Sequence, residues 1–369
     1  MEPRWFADRR AAGWACCHTQ DLHLVSLDSA ASMAWERVTM RNFALMFLGL
    51  AMAESLATHT SADANLRMNV AFDERLPGWQ LWAEAFRDNV KAASGGGIKV
   101  TLNGPAAVSP FQQFAPVSQG AFDLSINIPP YYMGTTAVSN TFYAMDPDMD
   151  KLRKTGVWDF IDNDFGKHNQ KLIAGFFSAP GCFHIMLKSP LKAGEKPFDG
   201  MKIRANRTYT PVIEPLGGSI VTLSAGEIYS ALEKGVVDGA AWTVAGTTDL
   251  KLHEVAKHML RPTFGWCGAV MTMNLDAYKK LDAKDREIIV AEARKLEKTG
   301  IEAYNKLTDA EDKELRGLGI KEARLSDDVF AKIMQNYRKN MWEVSASFKG
   351  SKKAVNDLRA LARSKGLAD

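Results

Sequence analysis

Arg204 and Trp242 are the pair whose types and positions could do chemistry together. Arg204 ends a short strand pattern at residues 201–204, and Trp242 follows another at 236–240. Both are expected at the carboxyl ends of parallel strands, where open α/β sheets hold their ligands. A planar guanidinium offers two parallel N–H donors to the two oxygens of a carboxylate. The chemistry expected is capture of a small organic anion, with Arg204 making the charge-assisted contact and Trp242 walling the site. Each residue alone has a plainer reading, Arg204 as a surface or interlobe ion pair and Trp242 as core. Their coincidence at two strand ends is what points to binding.

The elements that must position them alternate with almost no slack. Residues 198–242 read as β-α-β-α-β. Thr210 is expected to cap a helix with Pro211 at its first position, where a missing N–H costs nothing, and Gly217-Gly218 ends it. Residues 219–223 form the next strand. Ser224-Ala-Gly-Glu227 is a capping box that opens a second helix carrying Ile228, Tyr229 and Leu232, and Gly235 stops it. Two short helical crossovers imply a parallel sheet covered on both faces. A similar run precedes it: a strand at 66–71, a helix with Trp79, Trp82, Phe86 and Val90 on one face, strands at 98–102 and 122–128, and a helix at 110–117 between them. Two such units mean two α/β lobes with a cleft between them. Tyr131 and Tyr132 follow the strand at 122–128, and Asn127 lies within it. Their rings, hydroxyls and amide could hold a ligand, or could simply pack at a hinge.

With these residues on the page, the chain resembles the DctP-type periplasmic solute-binding proteins of TRAP (tripartite ATP-independent periplasmic) transporters. The matching stretches are the Gly-x-Lys-x-Arg strand Gly200 to Arg204, then Gly217-Gly218, Gly226-Glu227-Ile228-Tyr229-Ser230-Ala231-Leu232 and Gly235-Val236-Val237-Asp238-Gly239. Gly97-Ile98-Lys99-Val100 and Gly120-Ala121-Phe122-Asp123 match as well, so the resemblance spans nearly everything after residue 65. It implies an α/β, two-lobed, type II-like periplasmic-binding-protein architecture with a long bracing helix toward the C-terminus. Lobe 1 would be 65–181 plus 268–310, and lobe 2 would be 182–267 plus 311–369. It also implies a binding subunit, not an enzyme, that delivers a small organic acid, such as a 2-oxo or other monocarboxylate, to membrane subunits. A periplasmic sensor or enzyme on the same scaffold is the alternative. Family members draw a second contact from the strand that crosses between lobes, which points here to His184. Many carry Asn where Trp242 stands, so a less polar or more planar ligand than a sugar acid is expected. Some hold a metal ion through an acidic residue just before that Trp; Ala240-Ala241 occupy those places, and neither metal nor cofactor is expected.

Composition agrees with a globular protein large enough for two lobes. The chain has 369 residues, 46% of them hydrophobic and 24% charged. A net charge of +3 is too small to argue for nucleic acid, and no basic block interleaved with aromatics occurs, so no nucleic-acid partner is expected. Residues 1–39 lack any periodic pattern and read as an upstream extension. From Met40, Arg41 and the apolar run 43–53 lead to Ala62-Asp63-Ala64, a signal peptide over 40–64 with export to the periplasm; cleavage after Ala53 is a second option. That run is about half of the ~20 residues a membrane span needs. A monomer is expected. Cys182 and Cys267 remain after cleavage. Export would allow them to pair, yet one pair so far apart reads first as two buried free thiols.

Two metal patterns fall away on geometry. His253 and His258 are five apart, about 140° around a helix, and cannot share a zinc. Asp146-Pro-Asp-Met-Asp150 begins like a calcium loop, but Lys151 and Val157 take the places of its Gly and bidentate Glu. Gly-x-Ser-x-Gly, Walker and Gly-x-Gly-x-x-Gly motifs do not occur.

Overall fold

The computed structural model describes residues 63–368. The extension 1–39 and all but the end of the expected signal peptide lie outside the described residues. The strands are β1 (Ala64–Val70), β2 (Ile98–Asn103), β3 (Leu124–Asn127), β4 (Gln170–Phe177), β5 (Phe183–Leu187), β6 (Lys202–Arg204), β7 (Ser219–Val221), β8 (Gly239–Thr243), β9 (His258–Arg261), β10 (Gly268–Asn274) and β11 (Lys321–Arg324). They form a five-stranded sheet in the order β2-β1-β3-β10-β4 and a six-stranded sheet in the order β11-β9-β5-β8-β6-β7. Each sheet is the centre of one lobe.

Neither sheet is wholly parallel, as the crossover pattern had implied. β1 runs parallel to β2 and β3, and β6 parallel to β7 and β8, but β10 is antiparallel to β3 and β4, and β5 to β8 and β9. The cause is the path between lobes. The chain crosses at 178–182 and returns at 262–267, so β5 and β10 each enter their sheet from the cleft, where the parallel strands end. An entering strand must therefore run against them.

The two crossings lie side by side. Ser178 N–H donates to the Cys267 carbonyl at 2.8 Å, and Phe183 N–H to Phe264 at 2.9 Å. This closeness corrects the reading of Cys182 and Cys267 as free thiols. Their Cα atoms are 5.7 Å apart and they form a disulfide that ties one crossing to the other. Each cysteine immediately precedes an entering strand, a relation that spacing along the chain does not reveal.

The helix Ala283–Gly317 runs for 35 residues without interruption, roughly 50 Å at 1.5 Å per residue. Thr308-Asp309-Ala310, between its apolar stretches, contains no breaker. Asp282 caps it by accepting from Asp285 N–H at 2.7 Å. Ile289, Ala293, Leu296 and Tyr304 pack with the larger core, while Leu315 belongs to a cluster with Met186, Ile228 and Leu232 of the second lobe. The helix is thus a brace across both lobes. β11 pairs with β9 in the second sheet. The last helix, Lys352–Ser364, packs instead on Val157–Gly166 of the first lobe, which differs from the expected placing of all of 311–369 in lobe 2.

Candidate functional site

Between the two sheets lies a cavity with contributions from both lobes. Phe72, Trp82, Tyr131, Tyr143 and Tyr304 line it from the first lobe and the brace, and Phe183, Tyr209 and Trp242 from the second. The space open to the centre of a water molecule is about 50 Å³, room for a few water-sized groups. Polar lining comes from Asn206, Thr208 and Thr243, and no acidic side chain is part of it. The lobes meet here closely. Leu76 of the first lobe belongs to the second lobe's apolar cluster, and Leu76 and Pro77 lie against Gly246.

The polar groups of the wall are mostly donors without acceptors. The Asn206 side-chain oxygen accepts from Thr208 N–H at 2.9 Å, and its amide NH2 has no acceptor among the described residues. The Thr208 hydroxyl and the Trp242 Nε1 are buried with no partner among the described residues. Burial pushes the Tyr209 phenol well above its ordinary pKa, against the opposing influence of Arg204. It remains a protonated donor at any physiological pH.

Arg204 stands one layer behind this wall. It is 1% exposed, with Nε and Nη2 donating to the Leu223 carbonyl at 3.0 and 2.7 Å and Nη1 to the Ala241 carbonyl at 3.1 Å. Its guanidinium carbon sits 5.1 Å from the centre of the Trp242 ring, a cation–π contact. Three of its five N–H groups are used, and no carboxylate comes within 4.0 Å of it among the described residues. Its charge also helps lower the pKa of Glu227, an exposed carboxyl held mainly by Ser224, but a buried cation without a contacting ion pair is uncommon, since burying a charge is costly unless it is paired.

The other expected site residues divide between the cavity and the interior of the lobes. Tyr131 and Trp242 line the cavity. Asn127 and Tyr132 do not; they border a smaller void inside the first lobe with Phe114, Phe165 and Gln170. The Asn127 amide donates to the Pro110 carbonyl at 2.9 Å and its oxygen accepts from Ile128 N–H at 2.7 Å, while the Tyr132 hydroxyl bonds Ser139. Their neighbour Ile128 takes the cavity side instead. His184 is likewise turned away while Phe183 lines the cavity. The His184 Nε2 meets the Thr247 hydroxyl at 2.9 Å and its Nδ1 meets Arg261 at 3.4 Å. Burial first, and the Arg261 charge second, lower its pKa to about 3, so the ring is neutral and structural. Alternation predicted that only one of Phe183 and His184 could face the cleft; it did not say which.

Several lining residues were not singled out in advance. Trp82 had been read as a helix face packing on a sheet, and Tyr304 as part of the brace. The segment Asn206–Tyr209 follows β6 directly, so the rule that ligands meet strand ends extended to it as well as to Arg204. Its local order is set by Asn206, not by Thr210 as the capping pattern had implied.

The loop after Trp242 is fixed from the brace. Glu311, 3% exposed, accepts from Gly246 N–H at 2.7 Å, Thr248 N–H at 2.6 Å and the Thr248 hydroxyl at 2.9 Å. Gly246 has φ +93°, and an added Cβ would stand 3.2 Å from the Trp242 Nε1. Only glycine both adopts this turn and lets the indole edge lie against it.

The sequence profile of bacterial extracellular solute-binding protein family 7, DctP, matches residues 78–346. The chain belongs to the DctP family. A solute-binding protein from Albidiferax ferrireducens is 28% identical over 151 residues, 39% of this chain and 44% of that relative, so less than half of the relative is spanned. Two solved structures share the DctP fold. A TRAP periplasmic solute-binding protein from Rhodoferax ferrireducens with bound malonate superposes with a TM-score of 0.69 at 20% identity, over 81% of this chain and 98% of that one. One from Desulfovibrio salexigens with bound orotic acid gives 0.70 at 17% identity, over 82% and 99%. The two-lobed DctP architecture is therefore the fold of this chain, and among the described residues no helix is long and apolar enough to cross a membrane.

Proposed function

We propose that this protein is the extracytoplasmic solute-binding subunit of a TRAP transporter, working in the periplasm and handing a small organic acid to membrane subunits. The observation that carries the reading is Arg204, a buried cation with no ion pair among the described residues, behind a cavity that has unpartnered donors and that no acid lines. An anion in that cavity supplies the acceptors that Asn206, Thr208 and Tyr209 lack and the negative charge that Arg204 lacks. Exclusion of water between the closed lobes strengthens each of these contacts. The family supports the same reading, as do relatives of this fold that hold malonate and orotic acid. Closure on the ligand by bending at the two crossings is the motion such lobes use, and the brace helix is the element that both lobes share.

A thermal-shift screen of the purified protein against organic acids, amino acids and sugars tests the reading. A ligand at ~100 times its Kd adds ~2.7 kcal/mol to the folded state, a readable rise in Tm. Stabilisation by a group of related carboxylates, recovered chemically unchanged, is expected. Stabilisation by neutral or cationic compounds alone would overturn the anion assignment.

A further inference from the structure

The wall of the cavity says more about the ligand than its charge. Eight lining residues are aromatic, and most of their rings are already engaged with each other. Phe183 and Tyr209 are 4.7 Å apart, Trp82 stacks on Tyr304 at 5.3 Å, and Phe72 meets Trp82 edge-on at 5.5 Å. Trp242 differs. Among the described residues no aromatic ring pairs with it; Arg204 covers it at 5.1 Å, and its Nε1 edge is turned to Gly246. Arg204 is not itself a lining residue, so it is the rest of the indole that meets the cavity. The position is fixed, because Glu311 holds the turn at Gly246 and two carbonyls hold the guanidinium.

We infer that the ligand is a planar, π-conjugated acid whose flat face lies on Trp242, with Arg204 acting through that ring as a positioning residue. This rests on the reading of the cavity as an organic-anion site and narrows it. The physics is specific. An indole face is electron-rich, and a cation on one side draws that density toward itself. The opposite side then repels an electron-rich ring less, and a conjugated carboxylate is electron-rich. A puckered sugar acid has no flat π face to lay on Trp242 and would set several hydroxyls against the apolar rings of Phe72 and Phe183.

Benzoate and cyclohexanecarboxylate make the test, because they match in charge and size and differ in flatness, with malonate as a small acid that lacks a ring. Calorimetric titration of the wild type should give benzoate the tighter Kd by roughly 3- to 10-fold, the range of an aromatic pair beyond its buried area. Trp242→Leu should erase that ratio, and Trp242→Phe should keep part of it. Circular dichroism of both variants checks that the fold stands. Equal affinity for the two ring acids in the wild type, or a preference that survives Trp242→Leu, overturns the inference. Binding of malonate with no binding of benzoate also overturns it and leaves the anion reading standing. If no carboxylate binds, that reading fails and this inference with it.

Discussion

Two buried arginines in the second sheet mark the difference between a cation that holds the fold and one that, on the function proposed above, waits for a ligand. Arg261, on β9, is 3% exposed; it is ion-paired with Asp312 of the brace helix, donates to the Leu260 carbonyl at 2.8 Å and abuts His184. Arg204, on β6, is buried as deeply but makes no ion pair: its guanidinium bonds backbone carbonyls and covers a Trp ring, the Glu227 carboxyl that feels its charge is exposed and held by Ser224, and the cavity in front of it is lined by no acid. Burial and residue type are the same. What separates them is a contacting ion pair, present at Arg261 and not at Arg204 among the described residues, and this is what the proposed function builds on.

The sharpest way to break this comparison is truncation of each arginine. Arg204→Ala should weaken carboxylate binding by ~1.4 kcal/mol or more, a tenfold loss or greater, the guanidinium acting on the ligand from behind the wall and not in contact with it; calorimetry that finds Kd unchanged would place Arg204 with Arg261 as structural. Arg261→Ala should instead lower stability by about 3 kcal/mol, at the low end for a broken buried pair because Asp312 is partly exposed. Chemical denaturation reads that loss, and ligand affinity should follow only as far as the fold does. The effect of Arg204→Ala on the empty protein should be smaller, about 1 kcal/mol. The hydrogen bonds it loses are offset in part by relief of a buried charge.

His184 sharpens the structural side. The unfolded chain takes up a proton on this ring near pH 6.5, whereas the fold resists until about 3. Acid therefore favours the unfolded state: the contribution is full above 6.5 and is lost as pH falls toward 3, at up to ~1.4 kcal/mol per pH unit. Denaturation midpoints measured between pH 7 and 4 should show this slope, and His184→Asn should flatten it. An unchanged slope in the variant would mean that His184 is not the group being protonated.

The elements were legible because their signals are local. Gly235, the Ser224–Glu227 capping box and the alternation in 98–102 each act within a few residues, and β6, β7 and β8 lie near where they were read. Arg204 and Trp242 were legible as a pair for the same reason, since each lies at the carboxyl end of a strand whose direction the crossovers set, Trp242 inside β8 and not after it. What the sequence could not carry was the partner across space. Strand parity told that Phe183 and His184 face opposite ways, but the choice depends on Arg261 and Thr247, which are 77 and 63 residues away. The same holds at Asn127 and Ile128, where Pro110 and Gln113 claim the amide. The Cys182–Cys267 disulfide, bridging 85 residues, became visible only when the two crossings were seen together. Tyr304 reached the cavity because the brace passes beside it, a packing fact that helical periodicity does not contain.

The most direct test of the uncompensated charge at Arg204 is a comparison of a carboxylate with its neutral amide, benzoate against benzamide, titrated into the wild type and into Arg204→Ala. Shape and apolar area are nearly matched, so the difference isolates charge. The wild type should bind the acid at least tenfold tighter than the amide, the factor that ~1.4 kcal/mol represents, and Arg204→Ala should bring the two together. An amide that binds the wild type as well as the acid, or a preference for the acid that persists without Arg204, would contradict the claim that this arginine is held ready for an anion.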